Sequence, residues 1–399
     1  MDKKGASELK RRLKKDDVTF TKVCGCYVDA DRNKVVKFNK TFLNLEDAQF
    51  FKYLEIAKKV LSGKIGDHIL TLEFPVAEEE QGGRQQILMA LRESKLENEE
   101  LLDVYYDQVI DTYDYPGNYL ILLFHDVYDV MTRTSDNQKL DESEEVYEYL
   151  LCAICPVKLS KPALGYLATE NAIGPRERDW VVDVPDTGFV FPDFDDRSTN
   201  IHSIAFYTKN VKEPHSEFMC NGLGCDPKRT ATEKKNAFEN IVKKSFVEEE
   251  KADDAYLEVQ EKIGSFIEAK MEENGEDPVQ LTDETIKEII KDAGIPDEQT
   301  ERITKTFKEV FADDVPEADH IYDEKLLEKT ETVRNLEQQV KELSEQVQQS
   351  NRKLDEKTIS LNIGTGLHVS AQIEEVNGKS CLVVAVEDAD EIIVNGKSI

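Results

Sequence analysis

Hydrophobic residues in the first 230 positions fall into short runs typical of strands and helices. In AQFFKYLEIAKKVL they recur every three or four positions, as in an amphipathic helix, whereas NYLILLF is apolar throughout, as in a strand buried on both faces. Further strand-like runs include DWVVDVPDTGFVFPDF, which we interpret as a hairpin, and NIHSIAFYTKN. This order predicts an α+β domain over residues 1–230, with a mostly antiparallel sheet and flanking helices.

Helical patterns replace strand patterns in the acidic region 231–320. Apolar residues such as Val259 and Ile263 recur at helical spacing, and LTDETIKEIIKDAGIPDEQTERI indicates two capped helices joined by a turn. A DNA-reading helix–turn–helix has a similar outline. Asp297 and Glu298 in the second helix, however, give it the wrong charge for a phosphate-lined groove.

A heptad repeat predicts a coiled-coil helix over residues 321–357. Its a and d positions carry the apolar seam, which consists of Val333, Leu336, Val340, Leu343 and Val347. Valine at a with leucine at d favours two parallel strands, and hence a homodimer. Lys329 and Ser350 occupy d positions and shorten the seam. Antiparallel docking of this helix on the chain's own helices is the alternative.

The last segment, residues 358–399, is predicted to be a small β unit. Its short β-rich runs are separated by two Asn-Gly pairs, Asn377-Gly378 and Asn395-Gly396, which are strong hairpin signals. A unit of this size has little core of its own, so we expect it to pack on something else.

The net charge of the chain limits the kinds of molecule that it is expected to bind. The chain has 82 acidic and 51 basic residues, a net charge of -31, so its body repels phosphate backbones and disfavours general nucleic-acid binding. A basic protein partner fits this charge better. The N-terminal stretch SELKRRLKK is locally basic, with Leu9 and Leu13 one helical turn apart. We expect it to dock on the acidic body, and a partner-binding arm is the alternative.

Composition also bears on the cellular compartment. No apolar run approaches the roughly 20 residues of a membrane span, and the N-terminus lacks the apolar core of a signal peptide. Seven cysteines, an odd number, are spread along the chain, which argues for reduced thiols rather than a disulfide framework. We therefore expect a cytoplasmic protein without membrane contact.

Four stretches carry a resemblance to a known family: VCGCYVD, EYLLCAICPVKLSKPALGY, RDWVVDVPDTGFVFPDFDDRSTNIHSIAFYTKN and CLVVAVEDADEIIVNG. Together they resemble a family of bacterial proteins, mainly from anaerobic Gram-positive bacteria, that is defined only as a domain of unknown function. The resemblance spans most of residues 1–315 and the C-terminal unit. It implies a cytoplasmic bacterial protein and assigns no activity or functional residue.

Two groups of polar residues are candidate catalytic sites. His125, Asp126 and Asp129 follow the apolar run NYLILLF, where a strand would end. The second group comprises Asp193, Asp195, Asp196, Arg197 and His202. Converging carboxylates would suit Mg²⁺ or Mn²⁺. The structural interpretation is a solvated acidic loop for the first group and a turn for the second.

His202 and the cysteine pairs also have structural interpretations. Strand alternation would place His202 on the apolar face with Ile204 and Phe206, as a hydrogen-bonded core residue. Cys24 and Cys26 share a strand face and are weak zinc candidates, as Asp195 and Asp196 are for harder cations. Another pair, Cys152 and Cys155, would point to opposite faces, so buried structural thiols are the favoured interpretation and we expect no metal or cofactor.

A non-catalytic cytoplasmic interaction or regulatory protein is the function that these features favour. The runner-up is a metal-dependent phosphoesterase or nuclease using His125, Asp126, Asp129, Asp195, Asp196 and His202. A nucleoid-associated or DNA-mimicking protein is a third hypothesis, based on the acidic surface and the basic N-terminal segment. Walker A, dinucleotide-binding and metalloprotease motifs do not occur in the sequence.

Overall fold

The computed structural model describes residues 1–133, 139–195, 197–274, 279–312, 314–355, 361–362, 369–386, 393–394 and 397–398. These residues form two compact units, Met1–Asp323 and Glu324–Ile399. The finer boundaries after residues 230 and 357 stay predictions. In the described ranges, no helix is both long and apolar enough to cross a membrane.

Antiparallel strands dominate the first unit. They are β1 (Lys22–Val28), β2 (Lys34–Thr41), β3 (Ile69–Glu73), β4 (Asn118–Arg133), β5 (Lys139–Leu159), β6 (Leu164–Leu167), β7 (Ala172–Pro175), β8 (Trp180–Val182), β9 (Thr187–Phe191), β10 (Asp193–Asp195), β11 (Ser198–Asn200) and β12 (Ser203–Thr208). The main sheet has the order β2-β1-β4-β5-β9-β12-β3, and β8 also pairs with β5. Two small ribbons, β6–β7 and β10–β11, lie outside it.

Helices flank this sheet, and after β12 the rest of the first unit is built from helices. They are α1 (Lys3–Arg12), α2 (Asp47–Val60), α3 (Arg84–Glu93), α4 (Glu99–Thr112), α5 (Ala231–Lys243), α6 (Glu249–Asn274), α7 (Asp283–Asp292), α8 (Asp297–Val310) and α9 (Ala318–Ile321). A π-helical turn spans Phe218–Gly222. The two helices predicted from the capping pattern are α7, capped by the Thr282 side chain, and α8.

Strand β4 shows how the sheet divides the core into two layers. Ile121 and Leu123 belong to one buried cluster, with residues of α3 and α4, whereas Leu122 and Phe124 belong to the other, with residues of α1 and α2. Since successive strand residues face opposite ways, an uninterrupted apolar run serves both layers. The prediction of a strand buried on both faces is confirmed.

The basic N-terminal segment is part of this core. Leu9 and Leu13 are fully buried in the layer formed with α2. Within the same segment, the Arg12 guanidinium lies 3.7 Å from the centroid of the Tyr128 ring. Docking on the body of the protein is therefore the observed arrangement for α1.

The hairpin predicted for DWVVDVPDTGFVFPDF is wrong. β8 and β9 do not pair with each other, because both pair with β5: β8 opposite Val157–Leu159, and β9 opposite Leu150–Ile154. Since β5 is 21 residues long, it offers room for both on one edge. Trp180, which begins β8, is 54% exposed.

The second unit contains one long helix and short strands. The helix is α10 (Glu324–Asp355), and the strands are β13 (Leu361–Asn362), β14 (Val369–Val376), β15 (Lys379–Val386), β16 (Ile393–Val394) and β17 (Lys397–Ser398). β14 and β15 form a hairpin whose turn residues, Asn377 and Gly378, both have positive φ, as the Asn-Gly signal requires. The second Asn-Gly pair, Asn395-Gly396, lies outside the described residues. The predicted α+β class with a mostly antiparallel sheet is confirmed.

Candidate functional site

Asp126 lies in the middle of β4 and is fully buried. Its carboxylate accepts hydrogen bonds from the hydroxyls of Tyr149 and Thr19, both at 2.6 Å, and pairs with the Arg12 guanidinium at 3.3 Å. These three donors belong to the protein's own chain. Through the Arg12–Asp126 pair, this network connects helix α1 to strand β4 of the sheet.

His125, the neighbouring residue, faces the opposite layer. Its Nδ1 lies 2.6 Å from the Thr21 hydroxyl, and its Nε2 lies 2.9 Å from Glu148. Burial, the largest effect, lowers the pKa of His125 in spite of the Glu148 carboxylate. The strand alternation that separates His125 from Asp126 keeps them from meeting at one ion.

The second predicted group is dispersed as well. Asp193 is buried and forms an ion pair with the Met1 amino group at 2.5 Å. Asp195 is exposed, and Asp196 lies outside the described residues. Arg197, at φ 59°, forms an ion pair with Glu8 at 2.7 Å.

The prediction of His202 as a core histidine is wrong. It lies in the turn before β12, its side chain is 67% exposed, and its Nδ1 lies 2.8 Å from Glu79. The strand begins one residue later, at Ser203, so the alternation that places Ile204 and Phe206 in the core does not extend to His202.

The candidate metal ligands do not converge among the described residues. Asp129 is exposed on β4, and nowhere in the described ranges do three His, Cys, Asp or Glu side chains come close enough to hold a metal ion. The geometry on which a metal-dependent phosphoesterase would depend is therefore not formed by the candidates that the structure describes.

The cysteines are free thiols, and most are buried. Burial raises the pKa of Cys24 to about 12 and that of Cys26 to about 11, which disfavours the thiolate form that zinc requires. Cys152 accepts a hydrogen bond from the Tyr105 hydroxyl at 3.2 Å. Cys155 faces the other layer, as strand alternation predicts.

A cleft in the first unit is lined by a His–Asp pair, His215 and Asp186, whose side chains are both partly exposed. Its volume is about 570 Å³. His215 Nε2 lies 2.9 Å from Asp186 Oδ2, which also accepts a hydrogen bond from the Tyr113 hydroxyl at 2.9 Å. The Tyr113 and His215 rings are in contact, with centroids 5.2 Å apart. An imidazole held by a carboxylate in this way can accept a proton from a bound molecule.

Electrostatics distinguish the carboxyl groups of this cleft. Burial, the largest effect, raises the pKa of Asp186, but the hydrogen bonds from His215 and Tyr113 with the charge of Lys209 outweigh it and lower that pKa below its ordinary value. Glu233 also lines the cleft, and burial raises its pKa. The lowered pKa favours the ionised form of Asp186.

Sequence reasoning missed this cleft. Asp186 belongs to the stretch DWVVDVPDTGFVFPDF, which is interpreted from its sequence only as a hairpin. His215 belongs to the loop after β12, where it adopts a φ of 61° shortly before the π-helical turn. Only the packing of two distant loops brings them together. No local spacing in the sequence signals the pair.

The apolar seam lies along one side of α10. Its residues are 44% exposed at Val333, 54% at Leu336, 65% at Val340, 59% at Leu343 and 57% at Val347. A helix that buried this side on its own unit would cover them. Within the second unit, the seam is open.

Comparison with protein-family models identifies the family of this chain. The model of the Domain of unknown function (DUF4317) matches residues 1–397. The chain belongs to this family. The resemblance of the four quoted stretches to a family defined only as a domain of unknown function is thereby confirmed, and the match includes the heptad helix as well as the two β-containing regions. A search of curated proteins found no match. Membership in the DUF4317 family assigns no activity, so function rests on the geometry above.

Proposed function

We propose that this DUF4317 protein is a non-catalytic interaction protein that self-associates through the apolar seam of α10. The observation that carries the proposal is the exposure of the whole seam, from 44% at Val333 to 65% at Val340. Apolar side chains in a regular heptad repeat gain free energy when a second helix covers them.

The balance of energies supports a dimer of moderate affinity. Fully burying a Val or Leu side chain contributes about 1.5–3 kcal/mol, whereas association costs at least about 4 kcal/mol. Two chains that each bury the seam residues offset that cost. Lys329 and Ser350 at d positions limit the seam to its central turns, which keeps the pairing from being obligate.

Packing preference supports parallel pairing of two chains. Val333, Val340 and Val347 occupy a positions, and their β-branched side chains fit the a layers of parallel two-stranded coils. Leu336 and Leu343 at d complete the same pattern. Glutamate, glutamine, lysine and arginine on the flanks keep the rest of the helix solvated.

Compartment and partner class belong to the same proposal. Free thiols throughout the chain fit the reducing cytoplasm, where we place this function. The net charge of -31 favours a basic protein as a further partner, through long-range attraction. Neither the fold nor the family assigns that partner.

Sedimentation equilibrium over a concentration series tests the proposal. We expect the wild-type protein to dimerise in the micromolar range and a Leu336→Asp, Leu343→Asp variant to stay monomeric, because each aspartate places a charge in the apolar seam. The matched control is Asn335→Asp, Gln338→Asp, which adds the same charge at heptad positions away from the seam and should dimerise as the wild type does. A monomeric wild type at high micromolar concentration, or a seam variant that associates normally, would contradict the proposal.

A further inference from the structure

The β14–β15 hairpin is amphipathic. Ile373 on β14 is directly opposite Leu382 on β15, and Val384 lies two residues further along β15 on the same face. The other face of β14 carries Gln372 and Glu374, which hydrogen bond to each other at 2.6 Å. The hairpin therefore has one mainly apolar face, with Glu375 and Ser380 at its turn end, and one mixed face, on which Val383 lies opposite Gln372.

The apolar face is open to solvent within the second unit. Ile373 is 77% exposed and its cross-strand neighbour Leu382 is 65% exposed. An isolated two-stranded hairpin is at best marginally stable in water, so it needs a further surface over its apolar face.

The direction of pairing along α10 decides which surface is within reach. The helix has 32 residues and is about 48 Å long at about 1.5 Å per residue. In a parallel pair the two hairpins follow from the same end of the coil, where the helix axes lie about 8–10 Å apart. In an antiparallel pair the corresponding ends lie about 48 Å apart.

We propose that the apolar faces of the two β14–β15 hairpins in a dimer pack against each other. The inference rests on the proposed parallel pairing of α10, with which this contact is continuous along the chain. A two-fold symmetric contact needs a self-complementary surface, and the apolar group Ile373, Leu382 and Val384 can meet that requirement, with Glu375 and Ser380 at the turn end of the same face left at its edge. Tethering by the coil raises the effective concentration of one hairpin near the other to about millimolar, so a weak contact is populated.

Neighbouring residues on opposite faces of β14 provide the first test. Ile373→Asp places a charge on the apolar face, whereas Gln372→Asp adds the same charge on the mixed face. By sedimentation equilibrium we expect Ile373→Asp to raise the dimer dissociation constant about tenfold, which corresponds to about 1.4 kcal/mol, and Gln372→Asp to leave it unchanged.

Disulfide trapping provides the second test without a disruptive charge. In a Cys381→Ser background, Leu382→Cys should form a covalent dimer on mild oxidation, because the proposal places the two apolar faces in contact. Gln372→Cys in the same background should stay largely uncrosslinked. Circular dichroism of each variant checks that the helix and strand content is retained.

The outcomes separate the inference from the proposed function. If Ile373→Asp dimerises like the wild type and Leu382→Cys does not crosslink preferentially, the hairpin contact is wrong while the α10 dimer stands. If the wild type is monomeric, both fail. If Leu382→Cys crosslinks when the seam is unchanged, but not when Leu336→Asp and Leu343→Asp are also present, the hairpin contact depends on the coil, as proposed.

Discussion

At the scale of single residues, two of the carboxylates that the sequence singles out are paired with charges of the protein itself. Asp126 and Asp193 are fully buried carboxylates, yet each faces a cation of its own chain, the Arg12 guanidinium and the Met1 amino group. Buried charges are tolerated when they are paired and hydrogen bonded. The two pairs connect the N-terminal segment to β4 of the main sheet and to β10 of the β10–β11 ribbon, so they stabilise its docking.

Asp126→Asn should lower the free energy of unfolding by roughly 2–4 kcal/mol, because it leaves the Arg12 guanidinium near the buried network without its counter-charge. Urea denaturation followed by circular dichroism would measure the loss. Asp129→Asn is the matched control on the same strand, and its exposed side chain predicts a change within about 0.5 kcal/mol. Equal stabilities for the two variants would show that the Arg12 pair contributes nothing.

The lowered pKa of Asp186 predicts a pH dependence. A carboxyl group whose pKa is lower in the folded than in the unfolded protein stabilises the fold above its ordinary value of 3.8, and this contribution disappears as the pH falls through the folded-state pKa. The thermal midpoint of Asp186→Asn should therefore lie below that of the wild type from about pH 5 to 7, with the difference shrinking below about pH 4. Glu213→Gln in the same cleft is the control. A difference that is constant with pH would contradict the assignment.

At the scale of elements, helix α1 is an integral part of one core layer. Leu9 is fully buried, whereas Arg11, two residues later, is exposed. We expect Leu9→Ala to destabilise the protein by about 2–5 kcal/mol, through lost burial and the cavity it leaves, and Arg11→Ala to have little effect. Chemical denaturation of both variants checks this. A small effect of Leu9→Ala would indicate that α1 is only loosely attached.

How far the sequence predicts these elements depends on how local their signals are. The continuous apolar run in β4, the Asn377-Gly378 turn and the capped helices α7 and α8 follow from neighbouring residues, and all are present. β8 and β9 were misassigned as a hairpin, because their common partner, β5, is a distant segment. The cleft around His215 is non-local in the same way.

At the scale of the whole molecule, burial governs the chemistry of the thiols. All seven cysteines are free, and among them only Cys220 and Cys381 are even partly exposed. Burial, the main effect at each buried thiol, raises the pKa of Cys152 to about 12, and the same cause raises that of Cys225. Because the thiolate is the reactive form, these groups should resist both alkylation and zinc binding.

Thiol titration of the whole chain tests this arrangement. Without prior treatment with a reducing agent, the denatured protein should titrate for seven thiols, because no cysteine is predicted to form a disulfide. The native protein should react quickly at no more than the two partly exposed positions, Cys220 and Cys381, while the buried five react only as the fold opens. A Cys220→Ser, Cys381→Ser variant is the control and should lose the fast phase while keeping the slow one. Fewer than seven thiols in denaturant would reveal a disulfide, and one zinc per chain in metal analysis would overturn the assignment of Cys24 and Cys26 as structural thiols.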